Sequence, residues 1–490
     1  MKRGSGVLMH VSSLWGEYSE GSFGQEAREW IDFIADRGFS WWQVLPFCVT
    51  DAFHSPYKSF SSFSGNPMFI DLPTLCREGL LTREELAQAR QRTPYVCEFE
   101  RLDHERLTLL SRAAERFDDT TAMERFLAAH PQVEAFCRFM ALRQANGGAM
   151  WNEWTISRPD PQALRLWQFT QYMFYTQWMA LKKYANDRGV SILGDIPIYV
   201  DLNSSDVWAN PGQFRLDERL RPTAVAGVPP DYFCADGQLW GNPLYDWDAM
   251  EADDFSFWRE RIGYMGELFD GVRIDHFRAF SAYYRIPADA KTAREGTWVK
   301  GPGMKLLRAL RASTDALLVA EDLGDIDEDV TTLVRESGCP GMRVLQFAFL
   351  GDPDSPHLPH NYENNCVAYT GTHDNNTLLG YVWEASAEER RRLFDYCGYG
   401  SDDIHACYTD IFRTMFESHA GLLILPVQDL LLYGSDTRLN RPGQCEGNWS
   451  YRLTRPQLDA VDRYPFLAWN RRYGRAPRES VRKPADDAKA

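Results

Sequence analysis

Hydrophobic positions along this chain follow two spacings. Short, nearly continuous apolar runs occur at residues 7–11, 41–47 (WWQVLPF), 191–200 (SILGDIPIYV) and 271–278 (GVRIDHFR). Four more lie at 317–324 (LLVAEDLG), 343–349 (RVLQFAF), 366–374 (CVAYTGTHD) and 422–431 (LLILPVQDLL). Runs of this kind read as strands covered on both faces, as in a parallel sheet. Between them apolar residues fall at helical spacing, as Trp30, Phe33 and Ile34 do within 25–37. Eight strands separated by helical or loop stretches predict an α/β fold. Pro197 is placed at the exit of its strand, because proline donates nothing to a ladder.

The second and third runs lie roughly 140 residues apart, far more than a connecting loop needs. Residues 51–189 therefore read as an inserted, mainly helical subdomain. It opens on a loop signature of Ser, Pro, Gly and aromatics at 54–66. Helices are expected over 83–92, 103–116, 122–130 and 164–188, with a further turn started by Pro131. In the last of these, Trp167, Phe174, Trp178 and Leu181 share one narrow face and read as a packing stripe.

Composition narrows the function. A net charge of −16 argues against nucleic acid and against an anionic membrane surface as partners. The 16 Trp, 22 Tyr and 28 Phe suit a half-apolar ligand such as a sugar ring, although most must be core. The first residues carry no long apolar stretch of a leader, and no run is long enough to span a bilayer. Ten cysteines without a CxxC pair suggest neither a zinc site nor a disulfide framework, so free thiols in the cytoplasm are expected. Asp325, Asp327, Asp329 and Glu336 imitate a calcium loop, but Val330 stands where that loop needs glycine. An acidic first helical turn explains them better. No phosphate-loop, GxSxG or dinucleotide fingerprint occurs, so no metal and no cofactor is expected.

The acid groups carry the chemistry. Three apolar runs end in carboxyls, at Asp275, Glu321 and Asp374. They are roughly 50 residues apart, room for a helix and loops between parallel strands. Carboxyls at several parallel strand ends are how a barrel builds an active site. Arg273 and Asp275 share a strand face, and the arginine supports a carboxylate suited to nucleophilic work. An Arg–Asp pair alone is as readily a structural ion pair; three acids in matching contexts are not.

GVRIDHFR, AEDLG and THDN together resemble the three catalytic segments of the 4-alpha-glucanotransferases called amylomaltases or disproportionating enzymes, relatives of the alpha-amylases. Further similar segments are SPYKSFSSFSGNP (55–67), GDIPIYV (194–200), GVPPDYF (227–233), GQLWGNP (237–243) and RLNRPG (438–443). The resemblance runs from about residue 6 to about residue 472. It implies a (β/α)8 TIM barrel with the insertion between strands two and three. Residues 1–50 and 190–475 would form the barrel, 201–243 a lid loop after strand three, and 476–490 a polar tail.

The resemblance makes Asp275 the nucleophile and Glu321 the general acid/base of a retaining reaction, with the two carboxyls about 5 Å apart. Asp374 would grip the hydroxyls of the distorted sugar. Glu321 ends an apolar strand and faces another carboxyl, and both effects raise its pKa. Asp195, Arg273 and His373 are expected in the same subsite. Tyr57, Asn440, Pro442 and Gly443 match binding segments, and Asp231 and Trp240 are expected to touch the glucan from the 227–243 loop. Many relatives carry other residues at Arg441 and Tyr451, which bears on subsite preference. The implied partners are alpha-1,4-glucans and maltooligosaccharides, with glucose as an acceptor; nothing is implied about oligomeric state. An alpha-glucan hydrolase and a non-catalytic glucan-binding barrel are the alternatives, the second disfavoured because all three carboxyls are present.

Overall fold

The computed structural model describes residues 1–230, 235–350, 353–398, 404–444 and 446–477. Twelve strands form among them: β1 (Gly4–Leu8), β2 (Trp41–Gln43), β3 (Ser191–Pro197), β4 (Ala224–Val228), β5 (Gln238–Pro243) and β6 (Gly271–Asp275), then β7 (Ala282–Pro287), β8 (Thr297–Lys300), β9 (Leu317–Ala320), β10 (Gly341–Val344), β11 (Cys366–Tyr369) and β12 (Leu422–Pro426). Eight of them make one parallel sheet in the order β10-β11-β12-β1-β2-β3-β6-β9. The first strand pairs with the last, Gly4 opposite Leu422 and Leu8 opposite Pro426. The two ends of that order meet at a seam, where the Ala320 N–H donates to the Pro340 carbonyl at 2.9 Å. The architecture is a (β/α)8 barrel.

Strand boundaries differ from the sequence reading in instructive ways. The first strand begins at Gly4 and ends at Leu8, whereas residues 7–11 were expected. Gly6 explains the shift, since a Cβ there would stand 2.5 Å from the Trp41 carbonyl oxygen. The close approach of β2 requires glycine, and glycine hides a strand from pattern reading. The sixth barrel strand is Gly341–Val344 rather than 343–349, because the chain turns into a 3-10 helix at Leu345–Phe347. The last strand stops at Pro426, and Val427–Leu431 is a helical turn. Pro197 does end its strand.

Between β2 and β3 lie helices Leu72–Arg77, Arg83–Gln88, Phe99–Arg116, Thr120–Ala129, Pro131–Ala145 and Pro161–Asp187. Their starts follow sequence chemistry. Thr82 and Glu85 form a capping box, and the Asp160 carboxylate accepts the Ala163 N–H at 2.9 Å ahead of Pro161. Trp167, Phe174, Trp178 and Leu181 are all buried. Trp178 stacks edge-on against Phe47, centroids 4.6 Å apart, and donates its indole N–H to the Leu268 carbonyl at 2.9 Å.

The stretch after β3 is more ordered than the loop expected over 201–243. β4 and β5 pair with β7 and β8 in an antiparallel sheet, order β5-β4-β7-β8. The 201–243 stretch thus contributes two strands to a small sheet, and its Pro- and Gly-rich sequence hid β4, which pairs with β5 nearby and with β7 far along the chain.

At the opposite end two arginines cap the barrel floor. Arg475, fully buried, donates to the carbonyls of Gly4 (2.9 Å), Phe416 (2.8 Å), Ser418 (3.0 Å) and Ala420 (3.0 Å). Arg3 reaches the Ser418 carbonyl at 2.8 Å and that of Tyr473 at 2.8 Å. The Phe416 and Ser418 carbonyls stand at the end of the helix Ile404–Glu417, where cations are favoured.

Candidate active site

The three expected carboxyls sit at or just past the C-terminal ends of β6, β9 and β11. Asp275 closes β6, and the Arg273 Nη2 lies 2.7 Å from its Oδ1. The same guanidinium meets Asp195 through Nη1, 2.9 Å from Oδ1 and 2.8 Å from Oδ2. Tyr57 donates its hydroxyl to Asp195 Oδ2 at 2.7 Å. One buried arginine thus spans carboxylates on adjacent strands, as the β3–β6 register places Asp195 opposite Arg273.

Glu321 follows β9. Its Oε2 accepts the His276 N–H at 2.7 Å and its Oε1 the Leu323 N–H at 2.9 Å. His276 is the residue after Asp275, so the two carboxyls are neighbours. Burial, and after it the Asp275 charge, pushes the Glu321 carboxyl up to about 7, against the opposing Arg273 charge and the two N–H donors. His276 has φ 55°, a left-handed conformation that side chains other than glycine rarely take. Its half-buried ring is held neutral, its pKa lowered to about 4 chiefly by desolvation.

Asp374 lies in the turn after β11. Asn440 donates to its Oδ1 at 2.6 Å, His373 Nε2 stands 3.3 Å from Oδ2, and Arg438 donates to its backbone carbonyl at 2.9 Å. The His373 ring stacks on Tyr57, centroids 5.1 Å apart and 11° from parallel, with Trp449 6.0 Å from each ring. Above this group, Trp240 on β5 sets its ring edge-on against His276 at 4.9 Å and stays 38% exposed. Asn242 ties β5 to the loop after β3, donating to the Val200 carbonyl at 2.9 Å.

These side chains enclose an open cleft of about 400 Å³. Asp275, Asp374, Tyr57, His373, Trp240 and Asn440 line it, with Pro442 and Gly443 at its edge. Glu321 adjoins the lining through His276, and Asp195 and Arg273 lie beneath it. The arrangement offers an ion-paired carboxylate beside a carboxyl that keeps its proton to near neutrality. That is the pairing of groups that retaining glycosidic chemistry needs.

The sequence profile of the 4-alpha-glucanotransferases matches residues 9–458. This chain belongs to the 4-alpha-glucanotransferase family. A 4-alpha-glucanotransferase of Thermus thermophilus is 42% identical over 485 residues, covering 94% of this chain and 96% of the relative. One from Streptococcus pneumoniae is 41% identical over 485 residues, covering 93% and 94%. The amylomaltase of Streptococcus agalactiae, solved in complex with acarbose, superposes with a TM-score of 0.92 at 35% identity, over 97% of this chain and 100% of that one. The amylomaltase of Corynebacterium glutamicum shares the fold at a TM-score of 0.78 and 17% identity, over 97% of this chain and 75% of its own.

Within this member of the family, Asp231 falls outside the described residues, as do Tyr232 and Phe233. Arg441 donates to the Ser435 carbonyl at 2.9 Å, and Tyr451 is buried beside Val96. The sequence reading did not single out Tyr199, Asp201, Gln238, Asn242 or Trp449 as site residues, yet all five line the cleft. Tyr199 lies in the GDIPIYV segment and could have been taken from it. Trp449 has φ 65°, and no local pattern signals a tryptophan turned inward by such a backbone. The acidic run after Glu321 is a helix start, with Asp327 Oδ1 accepting the Val330 N–H at 2.9 Å. Among the described residues no cluster of His, Cys, Asp and Glu could hold a metal ion, and no helix is long and apolar enough to cross a membrane.

Proposed function

We infer that this chain is a 4-alpha-glucanotransferase that moves alpha-1,4-glucan segments between maltooligosaccharides, or to glucose, by retaining double displacement. The observation that carries the mechanism is the contrast between adjacent carboxyls, Asp275 paired to Arg273 and Glu321 raised by burial and by Asp275. In the first step an Asp275 oxygen bonds to the anomeric carbon as the glycosidic bond breaks. The Glu321 proton passes to the departing 4-oxygen. In the second step the acceptor's 4-hydroxyl gives its proton to the Glu321 carboxylate. Its oxygen takes the glycosyl unit and frees Asp275. Asp374, braced by Asn440 and His373, is placed to hold ring hydroxyls, and Tyr57 offers a flat face beside them.

Transfer must outrun hydrolysis although water is in great excess. A sugar hydroxyl wins only when it is bound and aligned while water is held off. The β4–β5 arm supports this reading, since it brings Trp240 over the cleft against His276. With maltotriose alone, the expected products are glucose and a ladder of longer maltooligosaccharides, with little rise in reducing ends. Trp240→Ala should increase the share of hydrolysis severalfold by weakening acceptor capture. Rising reducing ends and no product longer than the donor would make the chain a hydrolase instead.

A further inference from the structure

The barrel has a weak seam, and it runs beside Glu321. The parallel sheet begins at β10 and ends at β9, and no ladder register joins those two strands. The Ala320 N–H bond to the Pro340 carbonyl crosses the gap at 2.9 Å. Two residues farther on, a side chain takes over. Asp322 Oδ1 accepts the Met342 N–H at 2.6 Å, and its Oδ2 meets Arg343 Nη1 at 3.1 Å. Its side chain is 8% exposed. A buried carboxylate thus occupies the place of a missing strand partner and satisfies a backbone donor that would otherwise be stranded.

The opposite wall is shaped to receive it. A Cβ at Gly341 would stand 2.4 Å from Asp322 Oδ2, closer than atoms approach, so glycine there keeps room for the carboxylate. Toward β6, Glu321 is fixed by its own N–H to the Ile274 carbonyl at 3.1 Å and by the His276 and Leu323 N–H groups on its carboxylate. Toward β10, the adjoining backbone is held by the Ala320 bond and by Asp322.

Resting on the function proposed above, we propose that Asp322 is a positioning residue for the acid/base: by closing the seam it fixes the strand end from which Glu321 reaches the leaving oxygen. Asp322 touches neither substrate nor reacting atoms; it acts through Glu321. Loss of Asp322 should therefore harm steps that need an acid more than a step that does not.

Two donors separate these cases. Maltotriose needs its leaving oxygen protonated. With α-glucosyl fluoride, the Asp275 oxygen bonds to the anomeric carbon as the carbon–fluorine bond breaks, and fluoride departs without a proton. Asp322→Ala should lower maltotriose transfer at least tenfold while the first turnover of fluoride release falls less than threefold, and the alkaline limb of the transfer profile should move. Asp322→Asn keeps an oxygen for the Met342 N–H and should recover most of the lost transfer. Gly341→Ala, which crowds the carboxylate with Asp322 intact, should repeat the Asp322→Ala pattern; it carries the comparison alone if Asp322→Ala does not fold. Equal losses on both donors would overturn the proposal, and so would unchanged maltotriose transfer. A wild-type protein unable to transfer would instead sink the function itself, and that outcome is read before any variant is made.

Discussion

Asp275→Asn is expected to lower glucan transfer by several orders of magnitude and to leave the barrel folded. The amide keeps the size of the carboxyl but cannot form the glycosyl bond, so the first step has no nucleophile. The fold should survive for a reason visible beneath the cleft. Arg273, 4% exposed, would otherwise be a buried cation left unpaired, a costly defect. It keeps Asp195, which accepts two contacts from it at 2.9 and 2.8 Å. Parallel measurements of maltotriose disproportionation and melting temperature test both halves. A variant retaining a tenth of the activity would remove Asp275 from the nucleophile's role. Early unfolding would show that Asp195 does not compensate the guanidinium alone.

The second large effect belongs to Glu321. Glu321→Gln removes the proton donor of the first step and the base of the second, each worth roughly 10²–10⁴-fold. A donor with a good leaving group bypasses the first need alone, so this variant fed α-glucosyl fluoride should accumulate a glycosyl-enzyme on Asp275. Mass spectrometry finding no adduct would count against the covalent route. The wild type should lose transfer as pH rises through the raised Glu321 value, near 7, because the acid then arrives deprotonated. Stability follows the same sign. A carboxyl whose folded value exceeds its unfolded one binds its proton more tightly in the native state. That stabilising contribution is complete below the ordinary carboxylate range and is lost as pH climbs toward 7. Glu321→Gln should flatten this pH dependence of melting temperature. It should not simply raise the temperature, since Gln has one carbonyl oxygen for two N–H donors and strands one of them, at about 1–3 kcal/mol.

The site was more legible than its surroundings. Arg273 and Asp275, Glu321, and His373 and Asp374 each follow an apolar run, so one periodicity located both strand and chemistry. Gly6 shows where that logic fails. Its strand is dictated by the nearness of Trp41, which is a fact of three dimensions. The absence of strands expected over 201–243 failed likewise, since β4 is a strand only because β7, beyond the catalytic strand β6, returns to pair with it, Gly227 opposite Tyr284. Asp322 lies within AEDLG, in plain view along the chain. Its place at the seam could not be read, because sequence shows which strands exist and not where their ring is left open.

The two carbonyl-bound arginines at the barrel floor bear on how the chain is made. β1 leaves the ribosome ahead of every other barrel strand, and β2 can pair with one of its edges soon afterwards. Its other edge waits for Leu422–Pro426, and the Gly4 carbonyl waits for Arg475. At bacterial-to-eukaryotic elongation rates of about 5–20 residues per second, that wait is on the order of tens of seconds. Throughout it a nascent chain carries an open strand edge, the kind of surface on which chains stick to one another. The helices between β2 and β3 can form while synthesis continues, but the ring of strands closes only after translation has passed its last member.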